Sequence, residues 1–139
     1  MKLRHWVLPL LVALILIAIA TVGPRMRQPH DSKLIACPNP VHGCSFMHRG
    51  QAAQLRFSTP PKPLQAFTLT IRAPGARQVH AQFQMQGMEM GGGRYTLAIQ
   101  TPDTFAAPIN LPVCVTGRRD WKLYLQIDAQ RYAMPFSSS

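Results

Sequence analysis

The stretch Val79-His80-Ala81-Gln82-Phe83-Gln84-Met85 alternates without exception between apolar and polar side chains. On an extended chain, side chains two positions apart share a face, so this pattern marks a strand with one buried side. The same alternation recurs on both sides of it. Ala53, Leu55 and Phe57 share a parity, as do Phe67, Leu69 and Ile71, then Tyr95, Leu97 and Ile99, then Leu111, Val113 and Val115. Trp121, Leu123, Leu125 and Ile127 form a further set, and a short strand is expected over Arg131 to Phe136. Seven short strands separated by turn residues, with no segment of helical period, predict an all-β fold. The expectation is an antiparallel β-sandwich of immunoglobulin-like or cupredoxin-like size over residues 51–139.

Upstream of the strands the chain changes character twice. Residues 25–50 are rich in Pro, Gly, His and Cys and lack either period, which reads as a linker and a Cys-bracketed loop. Before them, Trp6 to Val22 is a run of 17 uncharged residues, about 25 Å as a helix. That length just spans a bilayer core. Lys2 and Arg4 before the run are matched by Arg25 and Arg27 after it, so flanking charge does not orient it. Ala18-Ile19-Ala20 also reads as a signal-peptidase site. Residues 1–24 are therefore a transmembrane anchor or a cleaved signal sequence. Either places the remainder outside the cytoplasm, the anchor reading giving a single-pass protein of the bacterial inner membrane with a periplasmic C-terminal domain.

Of the 139 residues only 14% are charged, against about 25% in an average soluble domain, in keeping with an apolar segment that leaves water. The net charge is +10, yet the basic residues are dispersed, with Arg25/Arg27 and Arg118/Arg119 as the densest groups. No basic helix, finger spacing or RNA-binding signature organises them, so a nucleic-acid partner is not expected. A basic surface near anionic lipid headgroups is the simpler reading.

Three cysteines in an exported chain allow one disulfide and a remaining thiol, or a metal site. Cys37 and Cys44 bracket Pro38-Asn39-Pro40-Val41-His42-Gly43, and closing that loop would stabilise the fold by about 2.5 kcal/mol. Cys114 has the opposite parity to Leu111, Val113 and Val115, so it faces away from the aliphatic set and is an alternative partner for Cys37 or Cys44. Spacing alone leaves both pairings open. Without a C-x-x-C motif, thioredoxin-like chemistry is not expected.

The segment after Met85 carries the strongest chemical signal. In Gly87-Met88-Glu89-Met90-Gly91-Gly92-Gly93, Met88 and Met90 lie two apart where the glycines leave no core face. In extended conformation their Cα atoms are about 6.6–6.8 Å apart on one side, so two thioethers can converge on a soft ion such as Cu(I). Alternatively they cap the end of the sandwich as flexible apolar side chains or present a protein-binding patch. His80 and Met85 differ in parity and cannot share an ion. Further ligands for a metal are His42, Met47 and His48, whose spacing matches no zinc pattern. Five scattered acidic residues and the lack of G-x-S-x-G, H-E-x-x-H or a phosphate loop give catalysis no foothold.

An N-terminal span, a small β domain, the turn Gly87-Met88-Glu89-Met90-Gly91, the Tyr95 strand and the strand Trp121-Lys122-Leu123-Tyr124-Leu125 together resemble the FixH and YtkA-like group of bacterial membrane-anchored periplasmic domains. The resemblance covers roughly residues 51–136. It implies a non-enzymatic accessory role in copper handling and cytochrome oxidase assembly, with a copper chaperone or respiratory oxidase as partner. It also carries Met88 and Met90 over as the positions of interest. A structural domain that binds another envelope protein without metal is the alternative.

Overall fold

The computed structural model describes residues 4–22, 32–87, 93–113 and 117–139. Two compact units are distinguished, Met1–Asp31 and Ser32–Ser139. In the first, Arg4–Val22 forms a single helix, α1, with Pro9 inside its opening turns. Its described side chains are those of Val7–Ala18, and Leu8, Leu10, Leu11, Leu14, Ile15 and Leu16 are all exposed. Among the described residues, no helix is long and apolar enough to cross a membrane.

The second unit is built of ten strands among the described residues: β1 Lys33–Leu34, β2 Cys44–His48, β3 Gln51–Phe57, β4 Phe67–Arg72, β5 Val79–Met85, β6 Arg94–Thr96, β7 Ala98–Thr101, β8 Thr104–Ile109, β9 Asp120–Ile127 and β10 Gln130–Ser137. They form two five-stranded sheets, ordered β1-β10-β9-β5-β6 and β2-β3-β4-β8-β7. Every pairing is antiparallel except β1 with β10. The expected β-sandwich is thus what the chain forms.

Parity explains why these segments are strands. In β5, Val79, Ala81, Phe83 and Met85 are buried while His80, Gln82 and Gln84 face outward; β9 repeats this with Trp121, Leu123, Leu125 and Ile127 inward. The two strands are in register from Val79 opposite Ile127 to Met85 opposite Trp121, so their buried faces coincide. Between the sheets, Phe57 and Phe67 from one meet Phe83 and Phe136 from the other in a closed ring of four contacts, with centroids 4.9 to 6.1 Å apart and mostly edge-on. Such pairs contribute about 0.5–1.5 kcal/mol each beyond burial, and two of the four, Phe57–Phe136 and Phe67–Phe83, join opposite layers.

The structure corrects the sequence reading in four places. Residues 32–50 belong to the β unit and are not linker, because β1 and β2 pair into the two sheets and Ile35 is buried. The single strand expected across Tyr95, Leu97 and Ile99 is two, β6 in one sheet and β7 in the other, with Leu97 buried at the crossing and Ile99 64% exposed. No strand occupies residues 111–113: Leu111 makes only an isolated bridge with Pro63, and Val113 is exposed. The strand of that region is β8, whose Phe105, Ala107 and Ile109 are buried. Among the described residues the count is ten strands, against seven expected.

Candidate functional site

One end of the sandwich is closed by three connections. The β2–β3 turn is Arg49-Gly50, with φ of 50° and 77°, so both central residues are left-handed, as a two-residue type I′ hairpin demands. Asparagine, aspartate or glycine normally fills the first of these positions; here it is arginine. Across the sheets, Asp128 at the β9–β10 turn also has a positive φ, 51°. Its Oδ1 accepts the backbone N–H groups of Arg77 and Gln78 at 3.0 Å each, and its own N–H donates to Gln78 O at 2.9 Å, which pins the β4–β5 loop. Its Oδ2 lies 3.5 Å from Arg49. Burial alone would raise the Asp128 pKa, but the two N–H donors and the nearby Arg49 outweigh it and hold the carboxyl below the ordinary range. Arg49, Gly75, Arg77, Gln78 and Asp128 line an open cleft of about 550 Å³.

Beneath Arg49, His48 points inward and is 2% exposed. Its Nδ1 is 2.8 Å from the Tyr132 hydroxyl, which in turn donates to Gln130 Oε1 at 2.7 Å. The phenol has a single proton to give, so His48 donates from Nδ1 and its buried Nε2 is an acceptor with no partner among the described residues. Burial, then Arg49, push the His48 pKa below its ordinary value, with Asp128 opposing. Tyr132 is moved the other way, upward, by burial.

Of the residues singled out for metal binding, His42, Met47 and His48 are described, and these three do not converge. Met47, 60% exposed, and His48 are neighbours on β2 and project from opposite faces. His42 is exposed in the loop that leads into β2. Met88 and Met90 lie outside the described residues, and so does Cys114. The ends of the connection that holds the two methionines are described: it leaves β5 at Gln86-Gly87, where Arg118 donates to Gln86 O at 3.2 Å, and enters β6 at Arg94. Strands β5 and β6 form the side of the sandwich where the Tyr95 hydroxyl reaches Asn110 O at 3.0 Å. Strand β2 forms the other side, over β10, where His48 meets Tyr132. The described ends of that connection, Gly87 and Arg94, thus adjoin strands on the side of the sandwich opposite β2, which carries Met47 and His48. Among the described residues, no group of three or more His, Cys, Asp or Glu side chains could hold a metal ion.

Of the disulfide alternatives, Cys37–Cys44 is the one formed, with Cα atoms 5.5 Å apart. It ties the loop before β2 to the first residue of that strand, and Asn39 adds a local turn by accepting the Val41 N–H at 3.1 Å. His80 faces outward with Nδ1 3.1 Å from Thr96 Oγ1, while Met85 is buried, as their parities require. Sequence reasoning did not single out Arg49, Arg77, Asp128 or Tyr132. Arg49 and Gly50 fell within the segment read as loop, and Asp128 among the scattered acidic residues; their meeting across the sheets depends on tertiary structure.

No family model matches the chain, and neither the curated proteins nor the solved structures contain a significant match.

Proposed function

We propose that this chain is a membrane-tethered accessory protein on the outer face of the bacterial inner membrane, whose β-sandwich handles Cu(I) during assembly of a respiratory oxidase. The observation that carries the reading is the Cys37–Cys44 disulfide within the β unit. Structural disulfides belong to oxidising compartments, and an extracytoplasmic location is what the apolar run of α1 would deliver. A helix that presents leucine and isoleucine on every side has no polar face for water, which supports a lipid environment for it. The sandwich is then the periplasmic domain, of immunoglobulin-like or cupredoxin-like size. Copper rests on Met88 and Met90 alone, since His48 is committed to Tyr132 and Met47 faces away from it. The residue-level resemblance to the FixH and YtkA-like domains supports an accessory rather than catalytic role, with a copper chaperone or the oxidase itself as partner.

The test is Cu(I) binding by the full chain in detergent micelles, with ascorbate as reductant and a Cu(I) chelator as competitor. Stoichiometric binding is expected. Met88→Leu with Met90→Leu keeps volume and removes both sulfurs, and should weaken binding at least about tenfold. A parent protein that binds no Cu(I), or a double variant that binds as tightly, removes copper from the function. The second reading then stands, a metal-free domain that docks another envelope protein. It is favoured by β7, an edge strand whose four residues Ala98–Thr101 are all exposed and uncharged, the kind of edge to which a further strand can be added.

A further inference from the structure

The cleft at the hairpin tips has a chemistry that copper handling does not use. We propose that it binds a phosphate-type oxyanion between the guanidinium groups of Arg49 and Arg77. Both arginines line it, together with Gln78 and Gly75. Arg49 has one ionic contact, 3.5 Å to Asp128 and longer than the roughly 2.7–2.9 Å of a charge-assisted hydrogen bond, and its side chain is 54% exposed. Its remaining donors are therefore available. Arg77 is exposed and the Asp128–Arg77 bond involves its backbone N–H, which leaves the guanidinium free to swing over the cleft.

The acidic residue in the lining does not defeat anion binding. Asp128 spends Oδ1 on two backbone N–H groups and turns Oδ2 to Arg49, so its charge is locally compensated. Two arginines against one aspartate leave the cleft with one excess positive charge. The turn sets where Arg49 stands. It sits at a left-handed φ that favours glycine or asparagine, in a turn whose other central residue is Gly50. The turn thus carries the Arg49 side chain at the hairpin tip bordering the cleft.

Why phosphate rather than carboxylate follows from counting acceptors. A carboxylate offers two oxygens in one plane, which a single guanidinium fork satisfies. A phosphate offers oxygens on more than one edge, so two forks from two loops can each take an edge. At Gly75, φ is 74° and nothing lies within 4 Å of where a Cβ would be, so the cleft is open beside this residue and leaves room for a substituent on the phosphate. Free phosphate and a lipid headgroup share this chemistry.

The experiment is an NMR titration of the arginine side-chain N–H signals of the full chain in detergent micelles with inorganic phosphate, at constant ionic strength set by chloride. Saturable shifts are expected for Arg49 and Arg77, and none for Arg72, exposed at the end of β4. Arg49→Lys with Arg77→Lys keeps the charge and removes both forks, and should weaken binding at least about tenfold while the thermal midpoint shows the variant folded. A parallel arm places the full chain in nanodiscs of phosphatidylcholine, alone or mixed with phosphatidylglycerol. Shifts at Arg49 and Arg77 only with phosphatidylglycerol assign the site to a headgroup; shifts with inorganic phosphate assign it to a soluble ligand. The proposal is overturned if neither shifts these two signals saturably, if Arg72 shifts equally, or if the lysine variant binds as well as the parent.

Discussion

Arg49 and Asp128 stand at the tips of hairpins from different sheets, each with a positive φ, and meet at 3.5 Å across the end of the sandwich. Arg49 is half in solvent while Asp128 Oδ2 is buried, and at 3.5 Å with one partner so exposed the pair contributes about 0–1 kcal/mol. What makes Asp128 matter is its other oxygen, which accepts two backbone N–H groups of the β4–β5 loop.

Asp128→Ala should accordingly destabilise the domain by about 1.5–3 kcal/mol, through the loss of charge-assisted bonds and a left-handed φ that alanine tolerates poorly. Asp128→Asn keeps an oxygen acceptor and a residue suited to that φ, and should cost distinctly less. The folded pKa of Asp128 is lowered, so its contribution is complete above the unfolded value of about 4 and is lost as pH falls through the folded value. Thermal melts at stepped pH should show the parent and Asp128→Asn converging at the acid end. Parallel curves for the two would show that the carboxylate charge contributes nothing.

His48 supplies a second and separate pH dependence. Its folded pKa lies below the ordinary value of about 6.5, so the unfolded chain takes up the proton first. Stability from this group is complete well above pH 6.5 and declines as pH falls from there toward the folded value. Replacing Tyr132 by Phe removes the partner of a buried imidazole and should cost about 1–3 kcal/mol. Denaturant titrations at neutral and mildly acid pH measure both effects, and a Tyr132→Phe midpoint equal to that of the parent would rule out the hydrogen bond as a stabilising element.

Trp121 is 2% exposed at the start of β9, opposite Met85. Truncation to Ala should cost about 3–5 kcal/mol, as for other buried large aromatics. Its indole N–H has no partner among the described residues, so Trp121→Phe, which loses none of the described hydrogen bonds, should cost much less. A Trp121→Ala protein that melted with the parent would contradict the inward orientation of that face.

Opening the Cys37–Cys44 loop by replacing both cysteines with serine should lower stability by about 2.5 kcal/mol on the chain-entropy estimate for so small a loop. Non-reducing mass spectrometry of the purified chain should find this pair linked. Linkage of Cys114 to either cysteine would show a different connectivity.

How far the fold was legible depended on what each strand packs against. Strands β5 and β9 are neighbours in mid-sheet with one face wholly buried, so every second residue had to be apolar. Across Tyr95 to Ile99 the alternation continues through a corner at which the chain changes sheets, and period two carries no mark of that change. Strand β8 was overlooked because Thr104-Phe105-Ala106-Ala107-Pro108-Ile109 contains a proline and two alanines. Its Pro108 is tolerated where β7, which pairs only as far as Ala106, no longer runs alongside. Strand β2 was hidden by its composition: Cys44, Met47 and His48 suggested a ligand loop, and only the inward turn of His48 onto Tyr132 reveals a core position. The arginine cleft was not legible at all, since Arg49, Arg77 and Asp128 are far apart in sequence and are joined by the stacking of the sheets.

The parallel pairing of β1 with β10 bears on how the molecule would carry mechanical load. Lys33 and Leu34 lie beside Tyr132 and Ala133, and Ile35 N–H donates to Ala133 O at 2.9 Å. The chain enters the β unit through β1 and leaves it through β10. Because the two strands run the same way, tension between the N-terminal and C-terminal ends draws them in opposite senses along their length. Their hydrogen bonds are then strained together, in shear, rather than peeled apart one after another. A domain held at its N-terminal end and gripped at its C-terminal end would resist extension through this short seam before the sheets behind it began to yield.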